Sequence, residues 1–300
     1  MFKTIPWRRR KDQFASFVMK TAMWLANLLV VFIGVGLIVK AAPIFVKEPI
    51  GELLFSSDWF PLKGHFGFLP FIVGTIVATV LAMMFSVPIC LLSAIYLTEF
   101  ARKRTRELVR PVIDVLAGIP SVIYGLWGVI VIVPFVRWLG HQFGAATTGY
   151  SLLAAAIILS IMVFPIMISV TIEVLLAVPF QARETVLALG ATRWETVRKV
   201  ILRQAHRGIL AAVGLGFTRA FGETMAVMMV AGNVAKLPGS LFDPVYTLPA
   251  LIANNYGEVM SIPMYDSALM LAALFLMAVV TGFSIMAHAA LLRLAKGSKK

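Results

Sequence analysis

The stretch VPFQARETVLALGATRWETVRKVILRQA, residues 178 to 205, is a charged segment between two long apolar runs. Pro179 suits the first turn of a helix and Gly190 is a natural C-terminal stop, so a short helix is predicted from about residue 179 to 189. Thr192 followed by Glu195 fits a capping box, which predicts the start of a second helix. The pattern therefore predicts two short helices that meet at Gly190. It leaves two roles open, an amphipathic hairpin on lipid headgroups or a docking segment for a partner.

The rest of the chain is apolar enough for a membrane protein. Of its 300 residues, 60% are hydrophobic and only 14% are charged, and the mean hydropathy is +0.91. A soluble globular domain is about 25% charged. Six apolar runs are long enough to cross a bilayer: the run between Lys20 and Lys40, then about 68 to 98, 115 to 136, 151 to 177, 208 to 233 and 267 to 292. The first exceeds the apolar stretch of a typical cleaved signal peptide, so a retained anchor is favoured over a signal. The sequence predicts an all-α polytopic protein.

The basic residues are distributed unevenly between the two sides that six spans define. Of the 27 Lys and Arg residues, 21 lie in the N-terminal tail, the loop from 99 to 114, the segment from 178 to 207 and the C-terminus. Only five lie in the other connections, and Arg219 lies within a span. The positive-inside rule therefore predicts that both termini and the two basic loops are cytoplasmic. Because the net charge of +13 is explained by topology, nucleic-acid binding is not predicted.

Two charges interrupt the fifth apolar run, in TRAFGETMAV at residues 218 to 227. An ionisable group at mid-span costs about 2.5 to 3.5 kcal/mol, so it usually faces the bundle interior or a water-filled cavity. On a continuous helix, Arg219 and Glu223 lie at i and i+4 on one face and can pair. One interpretation is a salt bridge that fixes helix packing. The other is an anion path, in which the planar guanidinium of Arg219 binds the anion and Glu223 is its counter-charge.

A second unusual stretch is AGIPSVIYGLWG, residues 117 to 128. Pro120 and the surrounding glycines permit a broken helix and a close approach of backbones. Ser121 and Tyr124 could line a passage in this region, or they could form hydrogen bonds between helices. The pattern leaves both roles open.

Motifs for catalysis and cofactor binding are absent from the sequence. There is no G-x-x-x-x-G-K-[ST] for nucleotide phosphates, no H-E-x-x-H and no G-x-S-x-G, and Cys90 is the only cysteine. No catalytic residue, metal site or cofactor is predicted. Energy for transport would therefore come from a partner protein or from an ion gradient.

The chain resembles the permease subunits of binding-protein-dependent ABC importers. In their cytoplasmic signature, Glu-Ala-Ala is followed by Gly, Ile and Leu-Pro at fixed spacing. Here Glu184 and Gly190 hold their places, Thr185 and Val186 replace the alanines, and Arg203 stands where proline is usual. The stretches YLTEFARKR, IPSVIYGLWG, ALGATRWETV and FGETMAVMMVAGN are similar to phosphate-importer permeases of the PstC type, from about residue 68 to the C-terminus.

The resemblance implies a type I ABC importer permease in a bacterial inner membrane. Residues 68 to 300 would form the permease core, with a coupling segment at about 179 to 207. Residues 1 to 67 would form the N-terminal tail, the first transmembrane anchor and a periplasmic loop. The implied partners are phosphate, a sister permease subunit, cytoplasmic ATP-binding subunits, a periplasmic phosphate-binding protein and membrane lipid. ATPase coupling is carried over to Glu184, Gly190, Ala191, Arg193 and Trp194. The alternatives are a permease for a related oxyanion, a secondary anion transporter in which Glu223 carries protons, and a membrane scaffold.

Overall fold

The computed structural model describes the backbone of residues 6–257, 262 and 264–297, and the side chains of residues 11–257, 262 and 264–285. Nearly all of the regular structure in these residues is helical, as predicted. The helices before the coupling segment are α1 (Pro6–Lys47), α2 (Ile50–Phe55), α3 (Leu69–Ile95), α4 (Lys103–Gly118), α5 (Ser121–Trp127), α6 (Val133–Gln142) and α7 (Leu152–Leu176). The remaining helices are α8 (Phe180–Ala188), α9 (Arg193–Thr196), α10 (Leu202–Phe221), α11 (Met225–Val230), α12 (Leu248–Asn255) and α13 (Tyr265–Gly297).

Short irregular elements join or extend several of these helices. Three π-helical segments continue neighbouring α-helices: Tyr96–Phe100 after α3, Gly128–Ile132 between α5 and α6, and Val197–Ile201 between α9 and α10. A small antiparallel hairpin, formed by β1 (Trp59–Phe60) and β2 (His65–Phe66) with a 3₁₀ turn at Pro61–Lys63, was not predicted from the sequence.

Five helical segments among the described residues are long and apolar enough to span a membrane: Lys11–Lys47, Leu69–Phe100, Ser121–Gln142, Leu152–Leu176 and Tyr265–Ile285. They correspond to five of the six predicted runs. The third begins at Ser121 rather than 115, because the chain breaks at Ile119 and Pro120. The predicted run from 208 to 233 is not one helix, since it is divided into α10 and α11 by an interruption at residues 222 to 224.

Helices α3 and α7 form the central pair of the bundle. A stripe of small residues with a spacing of four runs along α3, and all of its members are buried: Gly74, Ala78, Ala82, Ser86, Cys90 and Ala94. The hydroxyl of Ser86 donates to the carbonyl of Ala82 at 2.7 Å and lies 3.3 Å from that of Ser160 in α7. Small side chains let membrane helices approach closely and satisfy polar groups across the interface. The stripe therefore favours close packing of α3, on α7 where Ser86 and Cys90 lie near the carbonyls of Ser160 and Phe164, and on Val245 and Tyr246 at Gly74.

Separate apolar clusters close the two ends of the bundle. At one end, the last turn of α3, the end of α7 and the start of the helix after Gly190 pack together through Ile95, Leu175, Val197 and Ile201. At the other end, α1, α3, α12 and α13 meet around the hairpin, where the Trp59 ring makes edge contacts with several aromatic rings: Phe66, Phe68, Phe71 and Tyr265. The two ends correspond to the two sides that the charge distribution separates.

Candidate functional site

Two interrupted helices meet inside the bundle, and both carry residues singled out from the sequence. Helix α4 ends at Gly118, and Ile119 and Pro120 adopt extended ψ angles of 128° and 140° before α5 begins. A residue before proline is disfavoured in the helical region, and proline has no N–H to donate. The break predicted as possible in AGIPSVIYGLWG is therefore present.

The second interruption separates α10 from α11. Gly222 follows the last residue of α10 with φ −90° and ψ 0°, and Thr224 precedes α11 with φ −110° and ψ −64°. The backbone N–H of Ala226, in the first turn of α11, donates a long hydrogen bond of 3.4 Å to the carboxylate of Glu223. At the other end of α11, the Asn233 side chain donates to the carbonyl of Met228 at 2.7 Å.

Glycine at position 125 brings the two broken regions together. A Cβ atom at Gly125 would lie 2.7 Å from the sulfur of Met229 and 3.1 Å from the Cα of Ala226. A side chain at residue 125 would force the Met229 sulfur to move and would press on the backbone of Ala226, so the glycine favours the close approach of α5 and α11. The stretches IPSVIYGLWG and FGETMAVMMVAGN are therefore in direct contact.

Arg219 and Glu223 do not form the predicted ion pair. Arg219 is in the last turn of α10, but Glu223 lies beyond the end of that helix, so the i, i+4 geometry of a continuous helix does not apply. Four salt bridges join described residues, and none of them includes Arg219. The expectation of one shared helix face is wrong because Gly222 ends the helix between the two residues. Arg219 is exposed on the surface of the chain, and Glu223 is half-buried.

Tyr124 and Ser121 have different environments. Tyr124 is buried, and its hydroxyl donates to the carbonyl of Leu116 at 2.8 Å. The backbone N–H of Ile119 donates to the same carbonyl at 3.3 Å, so the Tyr124 hydroxyl is a second donor at the C-terminal end of α4. Ser121 is half-buried at the start of α5, and its hydroxyl has no hydrogen-bond partner among the described residues.

The coupling segment has the predicted local structure. Helix α8 spans Phe180–Ala188, close to the expected bounds, and Gly190 has a φ of +86°. The capping box is confirmed, since the amide of Glu195 donates to the Thr192 hydroxyl at 3.2 Å and the amide of Thr192 donates to the Glu195 carboxylate at 3.0 Å. These contacts begin the second helix directly after the turn.

Hydrogen bonding and charge keep the Glu195 carboxylate ionised. The backbone N–H of Thr192 is the main cause, with Lys199 and the Thr192 hydroxyl contributing, and together they lower the pKa of Glu195 to about 2. Because the pKa in the folded chain is below the ordinary value, the contribution of the cap to stability is present above that ordinary value. It is lost only as the pH falls through about 2.

The second coupling helix continues into the membrane bundle. Helix α9, the π segment Val197–Ile201 and α10 follow one another without interruption from Arg193 to Phe221. At 1.5 Å per residue this helical run is roughly 43 Å long. It places the Gly190 turn at one end and Arg219 near the other, a connection that the prediction of separate short helices missed.

Most of the residues predicted to couple to an ATPase are accessible. Glu184, Gly190, Arg193 and Trp194 are exposed and Ala191 is half-buried. Two further apolar side chains were missed: Leu189 is 82% exposed and Phe180 is 68% exposed. The sequence could have indicated them, because Leu189 is an apolar residue in the predicted turn and Phe180 is an apolar residue at the start of a helix. The exposed apolar residues make the Gly190 turn a surface suited to a protein partner.

A largely buried ion pair attaches this segment to the bundle, and the sequence analysis did not single it out. Nη1 of Arg183 in α8 lies 3.0 Å from Oε1 of Glu99, in the π segment after α3, and the two side chains are 14% and 13% exposed. Nη2 of Arg183 also donates to the carbonyl of Leu175 at 2.6 Å. The two residues are too far apart in the sequence for a spacing rule to find them.

Comparisons with known proteins place the chain in a family. Residues 86–295 match the profile of the binding-protein-dependent transport system inner membrane component. The chain belongs to this family. A probable ABC transporter permease protein of Bacillus subtilis, YqgH, is 40% identical over 77% of this chain and 73% of its own length. The phosphate transport system permease protein PstC of Xylella fastidiosa is 38% identical over 82% of this chain and 80% of its own length.

A solved structure supports the same architecture. A bacterial ABC transporter involved in the import of the acidic polysaccharide alginate aligns with a TM-score of 0.64 at 15% identity, over 96% of this chain and 98% of the matched chain. At that identity the likeness concerns the fold alone. The chain is thus a helical membrane permease of the type I ABC importer fold, as the resemblance implied.

Proposed function

We propose that this chain is the permease subunit of an ATP-driven importer of inorganic phosphate and forms half of its translocation pathway. The position of Arg219 carries the proposal: its permanently charged, planar guanidinium belongs to the last turn of α10, beside the break that separates α10 from α11. Arg219 is exposed and has no carboxylate partner among the described residues. Guanidinium groups bind phosphate oxygens through two parallel hydrogen bonds. The naming of relatives such as the Xylella protein as phosphate permeases supports phosphate as the anion.

The exposure of Arg219 supports a second permease subunit. An arginine within a membrane bundle is costly when it faces lipid, so the exposed face of α10 requires a neighbouring protein or a water-filled path. A sister subunit that covers this face would enclose Arg219 between the two chains. The proposed pathway therefore lies at the interface of a heterodimer.

The remaining partners are assigned to the two ends of the bundle. The coupling surface at Glu184, Gly190, Ala191, Arg193 and Trp194 is proposed to dock cytoplasmic ATP-binding subunits, because the sequence has no P-loop of its own. The connection from 234 to 257 is proposed to face a periplasmic phosphate-binding protein. Its turn is held by Asp243, whose carboxylate accepts from the amides of Gly239 and Ser240 at 2.8 and 2.9 Å. With this orientation both termini are cytoplasmic.

Glu223 has a modified role in this proposal. It does not pair with Arg219 in the described conformation, so it is not a resting counter-ion in contact with the guanidinium. A carboxylate four residues away still lowers the local positive potential. We propose that this weakens anion binding enough for release, as a transport site requires.

The test is phosphate uptake by the assembled complex in proteoliposomes, with binding protein outside and ATP inside. Arg219→Lys keeps the charge but loses the planar fork, so uptake per assembled complex should fall by about tenfold, equivalent to about 1.4 kcal/mol. Arg104→Lys, at an exposed position of α4, is the matched control and should leave uptake unchanged. Near-normal uptake by Arg219→Ala would remove Arg219 from the pathway.

The same preparation separates the proposal from its alternatives. Uptake that continues without ATP but requires a proton gradient would favour the secondary transporter, and Glu223→Gln should then abolish it. Uptake of a competing oxyanion in preference to phosphate would identify a different cargo. Because Arg219 and Glu223 do not pair, the double variant Arg219→Glu with Glu223→Arg should transport no better than Arg219→Glu alone.

A further inference from the structure

The buried pair Arg183 and Glu99 lies outside the proposed anion path and connects three elements. Arg183 belongs to α8, Glu99 to the π segment after α3, and Leu175, whose carbonyl Arg183 also binds, to the last turn of α7. One guanidinium therefore holds the first coupling helix against the ends of the two central helices. A cation at helix C-termini also complements their partial negative charge.

Helix α8 has few other attachments to the bundle. None of its residues, all of which the structure describes, is fully buried. The apolar cluster at this end contains Val178 before α8 and Val197 after α9, but no residue of α8 itself. Among the described residues of α8, Arg183 is the one whose side chain forms an ion pair and a hydrogen bond with the ends of α3 and α7.

The π segment that carries Glu99 is held from its other side as well. Arg106, in α4, donates to the carbonyl of Leu97 at 2.9 Å and to the carbonyl of Thr98 at 2.6 Å. A π segment frees carbonyl groups that an α-helix would satisfy, and such segments are common at functional sites. The π segment at the end of α3 is therefore bound by Arg106 of α4 on one side and by Arg183 of α8 on the other.

The ion pair is not fully satisfied in this conformation. Nε of Arg183 and Oε1 of Glu99 are buried and have no hydrogen-bond partner within the described residues. The 3.0 Å contact between Nη1 and Oε1 is accordingly a charge contact whose angles do not align a hydrogen bond. A shift of α8 relative to α3 would change the energy of this contact, because the attraction between two charges depends on the distance between them and is screened less away from water.

We infer that Arg183 is a positioning residue. Through its ion pair with Glu99, it transmits displacement of α8 to the C-terminal end of α3. The inference rests on the proposed function, in which α8 belongs to the segment that docks the ATPase. Movement of α8 pulls on Glu99 and on the Leu175 carbonyl together. The central pair α3 and α7 then moves with the coupling segment rather than independently of it.

The experiment compares transport with ATP hydrolysis in the reconstituted complex. Arg183→Gln and Glu99→Gln each leave one buried charge without its partner, and both should lower phosphate uptake per ATP hydrolysed by about fivefold or more while hydrolysis continues. Arg183→Lys retains the charge and should keep part of the coupling. The double variant Arg183→Glu with Glu99→Arg should recover coupling relative to either single reversal. Unchanged uptake per ATP in both Gln variants would overturn the inference.

Two controls separate this result from a loss of folding and from failure of the proposed function. Glu107→Gln removes the exposed pair with Lys103, whose side chains are 63% and 89% exposed, and should leave coupling unchanged. A purely structural role would reduce the amount of assembled complex without altering uptake per ATP, which would also overturn the inference. If the unmodified complex shows no ATP-dependent phosphate uptake, the proposed function fails first, before any variant is compared.

Discussion

At the scale of single residues, Gly190 shows how a local signal determines the turn between α8 and α9, which is proposed to dock the ATP-binding subunits. Its φ of +86° places it in the left-handed region, and no atom lies within 4 Å of the position that a Cβ would take. Substitution there is therefore unfavourable because of backbone conformation, and not because of a clash with neighbours. Residues with a branched Cβ are the least compatible with this region.

Gly190→Val should disturb the turn between α8 and α9 by about 1 to 2 kcal/mol. Asparagine tolerates the left-handed region, so Gly190→Asn is the matched control and should remain close to the unmodified protein. The measurement is copurification of the ATP-binding subunits and transport-coupled ATP hydrolysis. If the valine variant retains both, the turn is not the docking surface and an amphipathic hairpin on the membrane becomes the better account.

At the scale of elements, the pairing of α3 with α7 depends on small residues at every fourth position of α3. Ala82 is fully buried in this interface, whereas Val80, two residues earlier, is 43% exposed. The sequence contains this periodicity, but six apolar runs of similar hydropathy do not indicate which helix each stripe faces. The structure supplies that partner.

Ala82→Leu should separate α3 from α7, because overpacking a tight interface costs about 1 to 3 kcal/mol. Val80→Leu adds a larger side chain on the exposed face of the same helix and should have little effect. Thermal unfolding of the purified complex and the yield of assembled protein measure the difference. Equal behaviour of the two variants would show that the small-residue stripe does not determine this helix pairing.

At the scale of the whole molecule, the two end clusters group the loops as the charge distribution does. The basic loop after α3 and the coupling segment share one end, and the hairpin and the connections near α12 share the other. Positive loops remain on the cytoplasmic side of a membrane. This common grouping supports the proposed orientation.

A reporter placed after residue 300 or near Lys103 should indicate the cytoplasm, and one near Asn255 should indicate the periplasm. Thiol labelling of single cysteines in place of residues in these connections provides an independent measurement, with Cys90 replaced because it is the natural thiol. Cytoplasmic labelling near Asn255 would contradict the six-crossing arrangement, in which α10 and α11 together make the fifth crossing.

The sequence by itself determined the features that depend on neighbours along the chain. The apolar runs, the capping box at Thr192 and Glu195, the turn at Gly190 and the break at Pro120 all follow from preferences that act within one or two helical turns. The spacing of Arg219 and Glu223 gave a wrong prediction of a shared helix face, because it too was interpreted from neighbours along the chain alone. Their predicted pairing assumed a continuous helix, and Gly222 ends that helix between them.

Tertiary structure decided which distant segments meet. The approach of α5 to α11 at Gly125, the contact of Arg183 with Glu99 and the uninterrupted helix from Arg193 to Phe221 are not given by local spacing. Each depends on how closely whole helices pack, which is a sum of many weak contacts and of buried polar groups that must find partners. Local preferences therefore set the elements of this permease, while packing between elements set the site that they form.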